Sequence, residues 1–372
     1  MTIGQNTQQA LSPRRAVTAG VGNLVLSDVH FGAGIVPEQT GGENAYDERI
    51  AAARTIAAFN VFIQQMDQET AGGIYASCVV WLPGDIIEGF FGNLAADADG
   101  RLQFPNPSRS ADRYSYVLFN ELTKLGKLGV SDIQVVGITG NHGKKAGQAE
   151  DAGVTENYDL DFLHNLKARC DEQNKWNDKF IIGVNFPGSE QGVFPGENVT
   201  FVVYNTPFIL CHGNESGFQV SSHGKRDDRY GRDDIRRAAK AYLARQVQTF
   251  KERAVRRGKQ GNTLDVDWDK AFLIHGHHHV SCPDPDEKVL GCGSLRGIDQ
   301  YANENQAVLR LEEPSALSFT TLPDGAVVNV RRIDRLDPVP AFEAPDADRT
   351  PFKLVRWGVS EKIRQYIDTK AA

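Results

Sequence analysis

Hydrophobic and polar positions alternate in two distinct ways along this chain of 372 residues. The first is a set of short, uninterrupted apolar runs that each stop at a polar cluster. They read Leu24-Val25-Leu26, Val79-Val80-Trp81-Leu82, Val135-Val136-Gly137-Ile138, Phe208-Ile209-Leu210-Cys211 and Phe272-Leu273-Ile274. Apolar runs of this length fit strands buried on both faces. The second is a three-to-four spacing, clearest across residues 44–69, where Ala52, Ile56, Phe59, Ile63 and Met66 line one face before Gly72-Gly73. That spacing predicts an amphipathic helix packed on a sheet. Helical character returns over 113–129 and again over 234–257. Residues 199–211 read as two strands joined near Asn205-Thr206-Pro207, and Pro323-Asp324-Gly325 marks a β-hairpin.

Between these elements the pattern lapses. Residues 1–20 are polar and turn-rich and are expected to form a flexible leader. Residues 89–112, rich in Gly, Asp, Asn and Pro, read as a loop insertion whose Arg101, Arg109 and Arg113 suit a substrate flap. One domain is expected over 21–335. A tail over 336–372 would carry a short amphipathic helix at 360–370.

Composition narrows the class. Forty per cent hydrophobic and 24% charged residues suit a soluble globular protein, and no apolar run is long enough to span a bilayer. The net charge of −7 argues against wholesale coating of nucleic acid. Residues 225–260 nevertheless hold 13 Lys or Arg against 5 Asp or Glu, a basic helical segment suited to a phosphate backbone or simply to solvent. The five cysteines include no Cys-x-x-Cys pair, which disfavours a disulfide framework and points to a reducing cytoplasm. Arg14-Arg15 before the apolar stretch 16–26 imitates a signal peptide, but cleavage there would cut the first strand.

The polar clusters that end the runs are Asp28-Val29-His30, Gly84-Asp85, Gly140-Asn141-His142, His212 and Gly276-His277-His278-His279. Ligands of open sheets gather beyond the carboxyl ends of the strands, so five such ends suggest one site. Carboxylate, imidazole and amide oxygen together suit a pair of divalent cations, with Mn, Fe, Zn or Ni as candidates.

Taken in order, Asp-x-His, Gly-Asp-x-x-Glu, Gly-Asn-His, a lone His and Gly-His-x-His resemble the calcineurin-like metallophosphoesterase superfamily across residues 24–279. The stretch 293–303, together with Gly143-Lys144, looks like uncharacterised phage-type members. The resemblance implies a four-layer αββα sandwich, two mixed β-sheets flanked by helices. It also implies two divalent metal ions, manganese foremost. Asp85 would bridge them, Asp28, His30 and His279 would complete one site, and Asn141, His212 and His277 the other. His142 would donate a proton to the leaving group. Two departures stand out: Gly143 replaces the Asp or Glu that usually follows the Gly-Asn-His, and Glu88 stands where many members have Asp. The implied activity is hydrolysis of a phosphodiester, in DNA, RNA or a nucleotide, with Lys144, Arg236 and Arg237 as substrate contacts. Two alternatives remain, a phosphomonoesterase and a catalytically vestigial assembly module. His275 and His278 alternate with His277 and His279 and are expected to face the other way, as packing groups.

Overall fold

Each of the five apolar runs lies in a strand or reaches one residue past its end, and each continues a period-two alternation between two buried faces. The computed structural model describes residues 13–35, 37–40, 44–89, 106–145, 156–187, 198–215, 217–218, 220, 231–258, 266–297 and 312–336. Ten strands are described: β1 (Ala16–Val25), β2 (Ile74–Leu82), β3 (Asp132–Gly137), β4 (Ile181–Asn185), β5 (Asn198–Val203), β6 (Thr206–Cys211), β7 (Phe272–His275), β8 (Val289–Gly291), β9 (Ala316–Thr321) and β10 (Val327–Ile333). They form a six-stranded sheet in the order β10-β9-β1-β2-β3-β4 and a four-stranded sheet in the order β5-β6-β7-β8. In the first, β1 to β4 run parallel and β9 is antiparallel to both its neighbours. In the second, β5 is antiparallel to β6, and β6, β7 and β8 are parallel. Both sheets are therefore mixed.

Among the described residues four α-helices flank them: α1 (Glu48–Glu69), α2 (Pro107–Leu128), α3 (Tyr158–Trp176) and α4 (Arg232–Gly258). Leu24, Val80, Leu82, Ile133 and Val135 pack outwards against Phe59, Phe62, Tyr114, Leu118 and Phe162 of α1 to α3. Their neighbours Val25, Val79, Trp81 and Val136 turn the other way and meet Phe208, Leu210, Phe272 and Ile274 between the sheets. Ile209 and Leu273 point out again, under Ala239, Tyr242 and Phe250 of α4. The layers run helices, sheet, sheet, helix, which is the expected αββα sandwich. Full burial of such side chains contributes about 1.5–3 kcal/mol each. That explains why the apolar runs at the carboxyl ends of these strands carry no polar position on either face.

Sequence and structure part company at the margins. β1 begins at Ala16, inside the expected leader, because Ala16 and Val17 pair with Ile74 and Tyr75 of β2. Residues 1–12 lie outside the described residues. The expected insertion 89–112 is cut short by α2: Asn106 caps the helix by accepting the Arg109 N–H at 3.1 Å, and Pro107 opens it. A proline at the first helical position starts a helix as readily as it breaks one. Arg113 is no flap residue either, since it is buried and bonds Glu48 Oε2 at 2.8 Å. Arg101 falls outside the described residues. At the other end Leu336 joins the helix-side core, one residue past the expected boundary at 335. The tail helix at 360–370 lies outside the described residues.

Candidate metal centre

The polar clusters meet on one side, where β1, β2, β3, β6 and β7 end. Asp28, His30, Asp85 and His212 are buried, and Asn141 is nearly so. Asp28 (φ 50°), His30 (φ 48°), Asp85 (φ 49°), His277 (φ 69°) and His279 (φ 55°) all adopt left-handed backbone conformations. Each costs about 1–3 kcal/mol for a residue with a side chain. Such strain persists only where packing enforces it, and here it turns one side chain after another towards a common centre. β7 ends at His275, so His277 and His279 are aimed by this turned backbone; the strand alternation expected for them does not apply, and their two-residue spacing from His275 would have put it on their own face.

Three donor groups result, one of them the hydrogen-bonded set of His30, Glu88 and His142. Asp28, His30 and His279 form the first, with His30 Nε2 at 3.4 Å from His279 Nε2 and His279 Nε2 at 3.4 Å from Asp28 Oδ1. Asp85, His212 and His277 form the second, with His212 Nε2 at 3.0 Å from Asp85 Oδ2 and 3.3 Å from His277 Nδ1. Asn141 Oδ1 joins it, 3.0 Å from His212 Nε2. Asp85 Oδ2 also lies 3.9 Å from His30 Nε2, between the groups. Within each group the ligand atoms lie within 4.8 Å of one another. Donors ~2.1 Å from a shared cation sit roughly 3.0–3.4 Å apart at octahedral or tetrahedral angles. Imidazole nitrogens that face each other at such distances repel unless a proton or a cation lies between them. The donor set therefore fits a pair of divalent cations.

The ring orientations are set from behind. Pro83 O accepts from His212 Nδ1 at 2.7 Å, and Glu88 Oε2 accepts from His30 Nδ1 at 2.6 Å, which leaves each Nε2 facing the centre. The other oxygen of Glu88 accepts from His142 Nδ1 at 3.1 Å. Glu88 thus supplies the partner that Gly143 does not. Arg296 Nη1 lies 3.5 Å from Glu88 Oε2, and buried Arg54 holds the carbonyls of Leu295 and Arg296 at 2.8 and 2.7 Å. Glu215 accepts the N–H groups of His212 and Gly213 at 2.6 and 2.8 Å. The roles of Arg54, Arg296 and Glu215 cannot be read from sequence, because nothing in their spacing relates them to the ligand clusters.

Charges follow from this packing. Burial opposes ionisation of Asp85 and Glu88, but the facing histidines outweigh it and hold both carboxyls well below their usual range. Burial also opposes protonation of His142, yet Glu88 and Asp85 outweigh it and raise its pKa. His212 is pushed up to about 10, because Asp85 overcomes the cost of burial. Burial lowers His275 to about 4 and His278 to about 2, so both are neutral. They pack on Phe218, as expected of groups outside the centre.

One further carboxylate was not foreseen. Asp159, at the start of α3, accepts from the N–H groups of Ile86 and Ile87 at 3.0 and 2.8 Å and of Gly140 at 2.8 Å. Burial, then the charge of Asp85, pushes its carboxyl up to about 7, while the N–H donors favour its charged form. Gly140 itself has no room for a side chain, because a Cβ there would collide with Asp85 Oδ1.

The expected substrate contacts are more dispersed. Lys144 forms an isolated bridge with Asn157, and its neighbour Lys145 pairs with Asp161 at 3.1 Å. Arg236 and Arg237 lie near the start of α4, paired with Asp233 at 3.3 Å and Asp234 at 3.4 Å. All five cysteines are free and buried. Among the described residues no helix is long and apolar enough to cross a membrane.

No family model matches the chain, and no curated protein matches it. Several solved structures overlap it loosely. A dimetal phosphatase from Danio rerio is 12% identical, with 84% of this chain and 98% of that one covered and a TM-score of 0.34. A conserved uncharacterised protein and predicted phosphoesterase from Streptococcus pneumoniae is 11% identical, covering 86% of this chain and all of that one, with a TM-score of 0.27. A single mutant of Vps29 from Entamoeba histolytica is 16% identical over 59% of this chain and 88% of that one, with a TM-score of 0.23. Overlaps this loose carry no argument about the site, whose reading rests on its own geometry.

Proposed function

We propose that the chain is a dinuclear-metal-dependent phosphoester hydrolase, acting on a phosphodiester in a nucleic acid or nucleotide, with manganese as the working ion. The observation that carries this reading is Asp85, whose Oδ2 lies between His212 Nε2 at 3.0 Å and His30 Nε2 at 3.9 Å. A carboxylate oxygen shared between two imidazole-rich donor groups is what a bridging ligand requires. The five motifs in the order of the calcineurin-like metallophosphoesterases support the same reading.

In it, Asp28, His30, His279 and Asp85 hold one cation, and Asp85, Asn141, His212 and His277 hold the other. When bound, the cations supply Lewis acidity and positive charge for a phosphoryl group. Two carboxylates against four neutral imidazoles and an amide would leave that centre cationic enough to attract a phosphoester. His142 provides the proton. Glu88 fixes its Nδ1, so Nε2 is the atom left for a leaving-group oxygen, and the carboxylates nearby favour the protonated ring. Lys144, Arg236 and Arg237 would meet the substrate further out. The diester is favoured over a monoester because the start of α4 lies beside the loop after His279, where Ile235 packs on Val280 and Cys282. Arg236 and Arg237 there would extend the contacts beyond a single phosphate by exchanging Asp233 and Asp234 for the substrate.

The test is hydrolysis of a nitrophenyl phosphodiester, its monoester counterpart and single- and double-stranded DNA by purified protein with Mn2+. Diester and DNA cleavage lost in Asp85→Asn is the expected result. Monoester cleavage alone would replace the diester reading. Full activity in Asp85→Asn, or activity untouched by exhaustive chelation, would overturn the two-metal site.

A further inference from the structure

We propose that Asp159, braced by Asn157, is a positioning residue that sets the spacing between the two loops carrying Asp85 and Asn141. The inference rests on the two-cation reading above and concerns how this chain builds that site without an acid at position 143.

The geometry starts from a gap in the sequence. Gly143 stands where the motif order leads one to expect Asp or Glu. A Cβ on Gly143 would collide with Asn157 Oδ1 and come within 3.1 Å of Asp159 Cγ. The space into which a side chain at 143 would point is therefore filled by two residues from the first turn of α3. Asn157 caps that helix, accepting the Asp159 N–H at 2.8 Å, while its Nδ2 donates to Gly140 O at 2.8 Å. Tyr158 N–H donates to Gly143 O at 2.7 Å. The helix start is thus bonded to both ends of the Gly140-to-Gly143 turn.

Asp159 then reaches across to the neighbouring loop. Its Oδ2 accepts from Gly140 N–H, one residue before Asn141, and its Oδ1 accepts from Ile86 and Ile87, directly after Asp85. One fully buried carboxylate joins the turn after β2 to the turn after β3. Together with the His142 N–H to Asp85 Oδ1 and Gly89 N–H to His142 O bonds, this link sets the distance between a bridging ligand and a ligand of one cation only. Outer partners that orient ligands typically alter metal affinity 10–100-fold when removed.

Asparagine is the informative substitution, since it is isosteric but has one acceptor oxygen. It can serve Ile86 and Ile87 or Gly140, and its NH2 must face an N–H at the other. The experiment titrates Mn2+ into chelator-stripped wild type, Asp159→Asn, Asn157→Ala and Glu48→Gln by calorimetry, with far-UV circular dichroism and thermal melts alongside. Glu48 is a buried carboxylate of the α1–α2 packing that bonds Arg113 and Ser110, and it reports loss of stability alone. The expected result is at least tenfold weaker Mn2+ binding in Asp159→Asn, a smaller weakening in Asn157→Ala, and unchanged binding in Glu48→Gln despite a lower melting temperature. Wild-type affinity in Asp159→Asn would overturn the inference, as would equal weakening in Glu48→Gln. Should Asp159→Asn not fold, Asn157→Ala carries the test, and wild-type affinity there would overturn the proposal. Wild type that binds no Mn2+ would instead remove the two-cation reading on which the inference stands.

Discussion

His142 shows how one residue's role depends on a neighbour far along the chain. Its backbone N–H donates to Asp85 Oδ1 at 2.7 Å and its ring leans on Glu88, 54 positions earlier. Glu88 serves two histidines with separate oxygens, His30 and His142. A shorter Asp at this position would lose about one methylene of reach, which gives the Glu in Gly-Asp-x-x-Glu a physical reason. Replacing His142 by Ala should lower turnover while metal content stays intact. The loss should be larger for a diester with a strongly basic leaving group than for an activated nitrophenyl ester, within the roughly hundred- to ten-thousand-fold range of general acid help. Equal losses on both substrates would show that His142 orients the site and donates no proton. Glu88→Gln should show the same substrate dependence and, through His30, weaker metal binding as well.

Helix α4 is the element on which the nucleic-acid reading turns. Its fold was legible: Ala and Leu on one face predicted a helix over 234–257, and Arg232–Gly258 is helical. Its direction was not. Ile235 lies against the loop beyond His279, while Phe250 stacks on Trp268 at 4.8 Å, just before β7 begins. Arg236 and Arg237 are therefore at the end of the helix near the metal centre, and Arg253, Arg256 and Arg257 are at the other. At ~1.5 Å per residue, roughly 30 Å of helix separates Arg236 from Arg256. The arginines do not form one footprint. Reversing Arg236 and Arg237 to Glu should weaken polynucleotide cleavage and reduce the log–log salt slope by about 1.4–1.8, while sparing a small diester. Reversing Arg253 and Arg256 should change neither. Equal effects of the two pairs would indicate a long groove along α4, and no effect of either would leave its charge to solvent. The same limit explains what else sequence missed. Runs such as Val79-Val80-Trp81 betray strands buried on both sides, but edge strand β4 exposes Ile181, and β8 is only three residues long. Ligand types were readable because they end strands. Asp159 was not, because α3 brings it to Gly140 only in the folded chain.

At the scale of the whole molecule, the candidate centre lies where the two sheets meet. Asp28, His30, Asp85 and Asn141 follow strands of the six-stranded sheet, whereas His212, His277 and His279 follow strands of the other. Besides the apolar layer around Trp81 and Phe208, polar contacts join the two sides at this centre, among them the His212–Asp85 and His279–Asp28 pairs and the bond from His212 to Pro83 O. A cation held by donors from both sheets binds the folded chain and not the unfolded one. It stabilises the fold by about 2.7 kcal/mol at a hundredfold excess over its Kd. For a chain of this size that is a rise in Tm of roughly 3–4 °C per site. The melting temperature should therefore climb with Mn2+ concentration and fall on adding EDTA. The increment should be lost in Asp85→Asn, which removes charge from the oxygen shared by both groups. His277→Ala and Asn141→Ala remove one donor from opposite sheets yet from the same cation group, so both should shrink the increment without abolishing it. A melting temperature indifferent to Mn2+ and EDTA in wild type would mean that no cation contributes to joining the sheets. The strained backbone at Asp28, His30, Asp85, His277 and His279 would then have no cation to offset it.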